Sequence, residues 1–156
     1  MTIRKAVAAD MARIGELLYQ VHDVHADLRP DLYKKGSRKY SDEEIAALIA
    51  DEGKVVFVYE DEVRMVQAYA ICFFQTTSGV PSLHERKVLF IDDLCVDASQ
   101  RGKKIGEKLY RYVVDFARSS GCNSLTLYVA NANGGALGFY EKLGMEPLKT
   151  LMEQRL

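Results

Sequence analysis

The sequence has no tryptophan, only three prolines and three cysteines, and no excess of charge of either sign. Its 21 lysines and arginines balance 22 aspartates and glutamates, so the net charge of -1 gives no general attraction to nucleic acid or to anionic membranes. No apolar run approaches the length of a bilayer span, and the N-terminus lacks the apolar core of a signal peptide. We therefore expect no nucleic-acid partner, no membrane partner and no export.

The cysteines are Cys72, Cys95 and Cys122, which lie far apart and within apolar runs. This pattern is typical neither of a disulfide framework nor of paired zinc ligands. His22 and His25 are close enough in sequence to share a metal ion, but no further cluster of ligands accompanies them. We therefore expect a reducing, cytoplasmic location and no metal.

What the sequence does contain is 48% hydrophobic residues in a chain of 156, which suffices for one sizeable core. We expect a single domain over residues 1–156. The opening "TIRKAV" alternates like a strand, and a helix is predicted from Asp10 to about Val24. The stretch "HADLRPDLYKKGSRKY" predicts a long loop or broken helix, after which Ser41 and Glu44 have capping-box spacing at the start of a second helix.

The rest of the chain alternates between strand and helix patterns. "KVVFVYE" and "RMVQAYAICFFQ" predict an antiparallel hairpin, and "KVLFIDDLCV" predicts a central strand covered on both faces. A helical apolar stripe begins at Ile105 and ends before Gly121. "SLTLYV" predicts a strand, "NGGALGFYEKLG" a short helix and "PLKTLMEQRL" a closing strand. The order β-α-α-β-β-β-α-β-α-β predicts a mixed α/β sheet.

Two acidic residues, Asp92 and Asp93, interrupt the apolar central strand. Because successive side chains of a strand alternate between faces, we expect these two on opposite sides, with at least one carboxylate buried. A buried carboxylate needs either hydrogen-bond partners or a proton.

The junction "VDASQRGKKIG" carries two glycines and three cations just before the helix. The first turn of a helix has unpaired N–H groups and a partial positive charge, so this end can bind phosphate oxygens. Gly102 and Gly106 would let a ligand approach the backbone. The segment matches neither the P-loop nor the dinucleotide fingerprint, and a glycine turn beside a solvated basic helix face is an equal alternative.

"RGKKIG" resembles the pyrophosphate-binding signature R/Q-x-x-G-x-G/A of the GNAT superfamily of acetyl-CoA-dependent N-acetyltransferases. Arg101 and Gly106 match its ends, whereas Lys104 replaces the middle glycine. A side chain at residue 104 is sterically permitted if that residue has a right-handed helical conformation.

"NGGALGFYEKLGM" resembles the segment N-x-x-A-x-x-F-Y-x-x-x-G-F of the same superfamily. The matching residues are Asn133, Ala136, Phe139, Tyr140 and Gly144, with Met145 in place of the last aromatic. The resemblance implies a GNAT-type fold, with a mostly antiparallel central sheet that is splayed between its fourth and fifth strands.

The resemblance also implies acetyl-CoA as co-substrate. Backbone groups near Leu94 would pair with pantetheine, the junction would hold the diphosphate, and Asn133 would contact the CoA arm. The CoA-contacting positions implied in this way are Leu94, Cys95, Val96, Arg101, Gly102, Lys103, Lys104, Ile105, Gly106, Asn133, Ala136 and Phe139.

Acetylation of an amine needs a base for the amine and an acid for the departing thiolate. The resemblance makes Tyr140 the acid, although an amphipathic core tyrosine is the structural alternative. "IDDLCV" resembles the "IEDF" stretch of the polyamine and thialysine acetyltransferase branch. It implies Asp92 as base and Asp93 as a second base or as an amine-orienting group, unless Asp93 binds structural N–H groups. Aspartate is short, so a relay water is expected.

The remaining candidates concern the acceptor. His25, Arg29 and Tyr33 lie where this fold commonly covers the acceptor pocket, although a plain solvated loop is an alternative reading. We expect transfer of an acetyl group from acetyl-CoA, in a ternary complex, to a primary amine of a small molecule such as a polyamine or an amino acid. The alternatives are acetylation of a protein N-terminus or lysine, and a non-catalytic CoA-binding regulatory module. A homodimer using the apolar closing strand is possible by analogy.

Overall fold

The computed structural model describes residues 1–156 and contains five strands and four α-helices. Their bounds are β1 Thr2–Lys5, α1 Met11–Leu28, α2 Asp42–Ala50, β2 Lys54–Glu60, β3 Val66–Thr77, β4 Arg86–Val96, α3 Ile105–Ser119, β5 Ser124–Leu127 and α4 Gly134–Lys142. The strands form one sheet in the order β1-β2-β3-β4-β5, antiparallel except for the parallel pair of β4 and β5. The predicted mixed α/β sheet is confirmed. No helix combines the length and the apolarity that a membrane crossing requires.

The sheet is covered on both faces. One apolar cluster lies between the sheet and α3 and includes Phe57, Leu89 and Leu109. The other lies between the sheet and helices α1 and α2 and includes Ile14 and Tyr69. Burial on both sides explains why the inner strands are almost continuously apolar. Each large side chain in these clusters contributes about 1.5–3 kcal/mol by leaving water.

The helix boundaries follow local signals. The capping box predicted for α2 is confirmed: the Glu44 N–H donates to Ser41 Oγ at 3.2 Å, and the Ser41 N–H donates to the Glu44 carboxylate at 2.8 Å. Helix α1 runs to Leu28, beyond the predicted end near Val24. It ends at Leu28, because Pro30 disfavours the helical conformation at Arg29, which has φ -137° and ψ 71°.

The predicted closing strand is wrong. Residues 147–156 form no strand, and Leu148 and Leu151 are 69% and 97% exposed. The Arg29 guanidinium lies 3.2 Å from the Glu153 carboxylate, and that of Arg155 lies 3.3 Å from Asp31. These ion pairs hold the tail against the connection between α1 and α2. Because that connection contains no strand, the alternating apolar residues of the tail have no strand to pair with.

Strands β4 and β5 separate as expected from the resemblance. Their pairing begins at Val88 with Ser124 and ends at Ile91 with Leu127. Strand β4 continues along β3 as far as Val96. The edge of β4 beyond Ile91 that faces away from β3 therefore has no strand partner, which leaves backbone groups available to a ligand.

The junction before α3 contains a correction. Lys104, the residue that caps α3, has φ 59° and ψ 18°, which is the left-handed region and not the right-handed turn considered above. Gly102 also has a positive φ, of 79°. A residue with a Cβ is strained in this region by about 1–2 kcal/mol, whereas glycine is not. The left-handed backbone at residue 104 explains why the family signature has glycine at this position. Lys104, which carries a Cβ, is strained there.

We predict that Lys104→Gly raises the free energy of unfolding by about 1 kcal/mol, because glycine relieves the left-handed strain and loses part of this gain to chain entropy. Urea unfolding measures the change. Lys104→Ala is the matched control, since alanine removes the charge but keeps the Cβ. Equal stability of the two variants would contradict the assignment of strain to residue 104.

Candidate active site

A β-bulge in β4 decides where the two aspartates point. Asp93 pairs with Ile71 of β3, and Ile91 pairs with the next β3 residue, Cys72, so Asp92 is an extra residue on β4. Both carboxylates contact tyrosines that belong to, or pack against, the apolar cluster beneath α1 and α2. The expectation that the two aspartates point to opposite faces is therefore wrong, because the bulge interrupts the alternation.

Asp92 is held by the connection between α1 and α2. The Tyr40 hydroxyl donates to Asp92 Oδ2 at 2.6 Å, and the Lys39 ammonium lies 2.9 Å from the same oxygen. The Asp92 side chain is only 12% exposed, so both contacts lie in a partly dry environment where charge interactions are strong. Sequence reasoning missed Lys39 and Tyr40, since neither belongs to a recognisable motif.

Asp93 is buried beside β3. The Tyr69 hydroxyl donates to Asp93 Oδ2 at 2.9 Å. Burial raises the pKa of Asp93 to about 6, while the Tyr69 hydrogen bond and the Lys39 charge oppose that rise. Burial also raises the pKa of Tyr69 well above its ordinary value, which keeps its donor proton in place. Tyr69 follows the ordinary strand alternation, so no sequence signal distinguishes it.

Tyr140 lies on α4, on the other side of the sheet from Tyr69. Its ring packs against Phe139 and Tyr110, with centroid separations of 5.0 and 6.0 Å. Burial, followed by the negative charge of Asp93, raises the pKa of Tyr140. No protein group accepts a hydrogen bond from its hydroxyl, and because no fully buried polar side-chain atom lacks a partner, this hydroxyl keeps some contact with solvent. The predicted acid is thus protonated and electrostatically linked to Asp93.

Between the aspartates and the junction lies the unpaired edge of β4. Leu94 and Val96 pack on the α3 side, and Cys95 is buried on the α1 side, 3.5 Å from the carbonyl oxygen of Leu17. Burial raises the pKa of Cys95 to about 12, which leaves it a neutral thiol and a poor nucleophile. The groups of these residues that remain available to a ligand are therefore those of the backbone along the unpaired edge.

The turn after β4 is tied to α1 by Asp97, another residue that sequence reasoning missed. Asp97 Oδ1 accepts from the Ser99 N–H at 2.8 Å and from its hydroxyl at 2.6 Å, while Oδ2 accepts from Arg13 and from Gln20. The Ser99 hydroxyl is the main cause of a lowered Asp97 pKa. The Asp-x-Ser spacing signals the local cap, but only the fold brings Arg13 to it.

The N-terminal end of α3 has the features of an anion site. The first-turn N–H groups from Ile105 onward have no helical partners, and three cationic residues, Arg101, Lys103 and Lys104, precede them in the turn. Left-handed residues just before a helix help to turn N–H groups toward a bound anion. Unpaired N–H groups and positive charge are the features with which a helix end binds phosphate oxygens.

Gly106 has a packing role. A Cβ on this residue would lie 3.4 Å from the Phe139 ring and 3.4 Å from Val96. Glycine therefore lets α3 approach both α4 and the open edge of β4. Asn133 caps α4, because its Oδ1 accepts from the Ala136 N–H at 3.1 Å. Gly106, Val96 and Phe139 thus lie on the α3 side of the sheet, as does Tyr140.

The predicted acceptor residues lie at the end of α1. The rings of His25 and Tyr33 are 5.6 Å apart, and Arg29 forms ion pairs with Asp31 and Glu153. Burial lowers the pKa of His25, and the charges of His22 and Lys39 contribute to the lowering. His25 is thus within electrostatic reach of the pair formed by Lys39 and Asp92. Arg29 contacts the C-terminal tail and neither aspartate.

Comparisons with known proteins agree with this geometry. The chain is 34% identical over 111 residues, 65% of its length, to glucosamine 6-phosphate N-acetyltransferase 1 of Oryza sativa subsp. japonica, and it spans 58% of that protein. It is 25% identical over 139 residues to thialysine N-epsilon-acetyltransferase of Mus musculus, covering 89% of this chain and 74% of the mouse protein. The chain thus spans little more than half of the rice protein, and 30% of the N-acetyltransferase MJ1207 of Methanocaldococcus jannaschii.

Solved structures share the fold over the whole chain. A tetramutant of the BH1408 protein from Bacillus halodurans superposes with a TM-score of 0.96 at 30% identity, covering 100% of both chains. Aminoglycoside N-acetyltransferase AAC(6')-Iy in complex with CoA superposes with a TM-score of 0.72 at 15% identity, covering 99% of this chain and 98% of that one. The sequence profile of the Acetyltransferase (GNAT) family matches residues 21–145. The chain therefore belongs to the GNAT acetyltransferase family.

Proposed function

We propose that this protein transfers the acetyl group of acetyl-CoA to a primary amine of a small molecule. The observation that carries the proposal is the pair of carboxylates on one face of β4, next to the point where β4 and β5 separate. Relatives that act on small amines, among them the mouse thialysine N-epsilon-acetyltransferase, support it.

Acetyl-CoA would lie in the opening between β4 and β5. The backbone of Leu94 to Val96 would pair with pantetheine, and the first turn of α3 with its cations would hold the diphosphate. The CoA bound to the aminoglycoside N-acetyltransferase of the same fold supports this choice of donor. When bound, acetyl-CoA supplies an electrophilic thioester carbon.

Different residues would serve as the general acid and the general base. Tyr140 is protonated at neutral pH and would donate its proton to the sulfur as the thiolate departs. Asp93, with its pKa near 6, would accept the amine proton through a relay water, because its carboxylate is buried. Asp92 would bind and orient the ammonium group. The sequence predicted Asp92 as the first choice of base and Asp93 as the second, so the proposed roles of the two aspartates are exchanged.

The acceptor is proposed to be a cation, because two carboxylates converge on one face beneath a connection that lacks helix or strand. A polyamine or an amino acid with a side-chain amine fits this charge. Two alternatives would replace the proposal. The acceptor is a protein N-terminus or lysine, or the protein binds CoA without turnover.

We also propose a homodimer located in the cytoplasm. The exposed Leu148 and Leu151 of the tail and the free edge of β5 provide apolar surface and unpaired backbone groups for a second copy. The three free cysteines are compatible with a reducing compartment.

The first test measures release of the CoA thiol from acetyl-CoA with a panel of polyamines, amino acids and peptides. We expect turnover with a small cationic amine and a loss of kcat of about 100-fold in Tyr140→Phe, because a general acid contributes about that factor or more. Tyr112→Phe is the matched control and keeps full activity, since Tyr112 packs against Phe57 of β2, two strands away from β4 in the sheet.

Three outcomes would contradict the proposal. Thiol release only with peptides would indicate a protein acceptor. A rise in Tm with acetyl-CoA but no release with any amine would indicate a binding module. Full activity of Tyr140→Phe would remove Tyr140 from the role of acid.

The raised pKa of Asp93 is testable without knowing the acceptor. A carboxyl group whose pKa rises on folding, from 3.8 to about 6, binds more protons in the folded than in the unfolded state. Its contribution to stability is therefore present at low pH and is lost as the pH rises through about 4 to 6. Asp93→Asn cannot lose that proton, so the variant should gain stability relative to the wild type over this window, by up to about 3 kcal/mol.

Urea unfolding of both proteins at several pH values between 4 and 7 measures the difference. Asparagine keeps the size of the side chain and an acceptor for the Tyr69 hydroxyl, so packing changes little. Parallel stability profiles of the two proteins across this range would show that Asp93 does not titrate with a raised pKa.

A further inference from the structure

A primary amine of the chain itself lies at the proposed acceptor site. The Lys39 Nζ is 2.9 Å from Asp92 Oδ2 and 3.3 Å from the main-chain oxygen of the same residue. It also lies 5.5 Å from the centre of the Tyr40 ring. The Lys39 ammonium group thus pairs with Asp92, the carboxylate that would bind the incoming amine under the proposed function.

The position of Lys39 in the fold allows it to approach and leave this carboxylate. Residues 29–41 form neither helix nor strand, so the backbone there is not fixed by a ladder of hydrogen bonds. The Lys39 side chain is 45% exposed, whereas that of Asp92 is 12% exposed. The amine is therefore open to solvent on one side and bound to the strand that carries both aspartates on the other.

The electrostatics place Lys39 within reach of the catalytic groups. Its charge lowers the pKa of Asp93, which opposes the larger effect of burial. The charge of Asp93 in turn raises the pKa of Tyr140. Lys39 is therefore electrostatically linked to the proposed base, and the base to the proposed acid, near the point where β4 and β5 separate.

We propose that Lys39 is an acetyl acceptor, and that the chain acetylates its own Lys39 Nζ when acetyl-CoA is bound and no external amine is present. The inference rests on the proposed function. The Lys39 ammonium would lose a proton to Asp93, and the nitrogen lone pair would attack the thioester carbon. The N–C bond forms and the C–S bond breaks.

The sulfur takes the Tyr140 proton, and the second proton leaving the nitrogen restores Tyr140. The products are acetylated Lys39, free CoA thiol and the one proton held by Asp93, which passes to solvent. Atoms and charge balance without an oxidant or a further reactant.

This modification would change the site for external amines. Acetyl-lysine carries no charge, so the ion pair with Asp92 is lost and only the Tyr40 hydroxyl remains on that carboxylate. An unneutralised Asp92 attracts a cationic acceptor more strongly. Self-acetylation would therefore release Asp92 from its ion pair with Lys39 and make this carboxylate available to the external amine.

The test incubates the full chain with acetyl-CoA alone and measures acetylation of each lysine by digestion and mass spectrometry over time. Lys35 is the internal control, because it belongs to the same connection, is 68% exposed and pairs with Asp27, away from both catalytic aspartates. We expect Lys39 to be acetylated about 100-fold faster than Lys35, at a first-order rate that does not depend on protein concentration.

Two variants separate catalysed transfer from the ordinary reactivity of a lysine. Tyr140→Phe removes the acid, and Asp92→Asn removes the anchor of Lys39 while keeping its size. In each, acetylation of Lys39 should fall to the rate of Lys35. Equal rates at Lys39 and Lys35 in the wild type, an unchanged Lys39 rate in both variants, or a rate proportional to protein concentration would overturn the inference.

Failure of the inference is distinguishable from failure of the proposed function. If CoA thiol is released with an added small amine, but Lys39 stays unmodified in the incubation with acetyl-CoA alone, self-acetylation is rejected and the proposed function stays in place. The absence of both thiol release and a Tm shift with acetyl-CoA rejects the proposed function, and the inference with it.

Discussion

The extra residue in β4 is the constraint on which the site depends. A regular strand would send Asp92 and Asp93 to opposite faces, where one would meet α3 and the other α1. The bulge instead turns both carboxylates toward the face covered by α1 and α2. Two adjacent carboxylates on one partly buried face repel each other and lose hydration, so the surrounding elements must supply donors and positive charge.

Those donors come from distant parts of the chain. Tyr69 reaches Asp93 from the neighbouring strand, while Tyr40 and Lys39 reach Asp92 from the connection after α1. The division is uneven: Asp92 receives a hydroxyl and an ammonium group, whereas Asp93 receives a hydroxyl and a backbone N–H but no cation in direct contact. Burial therefore dominates at Asp93 and raises its pKa to about 6, which suits a base, whereas Asp92 is suited to holding a cation.

The separation of β4 from β5 complements the bulge. It leaves one edge of β4 unpaired just where the aspartates occur, and the strand then leads directly into the turn before α3. Asp97 fixes that turn to α1 through Arg13 and Gln20, and Gly106 brings α3 close to Val96 and Phe139. The carboxylate face, the open edge and the anion site therefore follow one another along a single stretch of chain.

Local patterns in the sequence were enough to predict most of the strands and helices. Periodicity 2 and 3.6, the Ser41 capping box and the glycine at residue 121 specify the strands and helices, because these signals act within one or two turns of chain. The two motifs likewise indicated the opening, the junction and Tyr140. The closing strand was predicted wrongly, since its alternation says nothing about whether a partner strand is present.

Tertiary structure alone decided the face on which the aspartates lie, the left-handed conformation of Lys104 and the partners Lys39, Tyr40 and Tyr69. A bulge is a mismatch in register between two strands, and it cannot be read from one of them. Partners separated by 24 to 53 residues meet only when the sheet and its covering helices pack. The sequence therefore determined which chemical groups are present, and packing decided which of them act together.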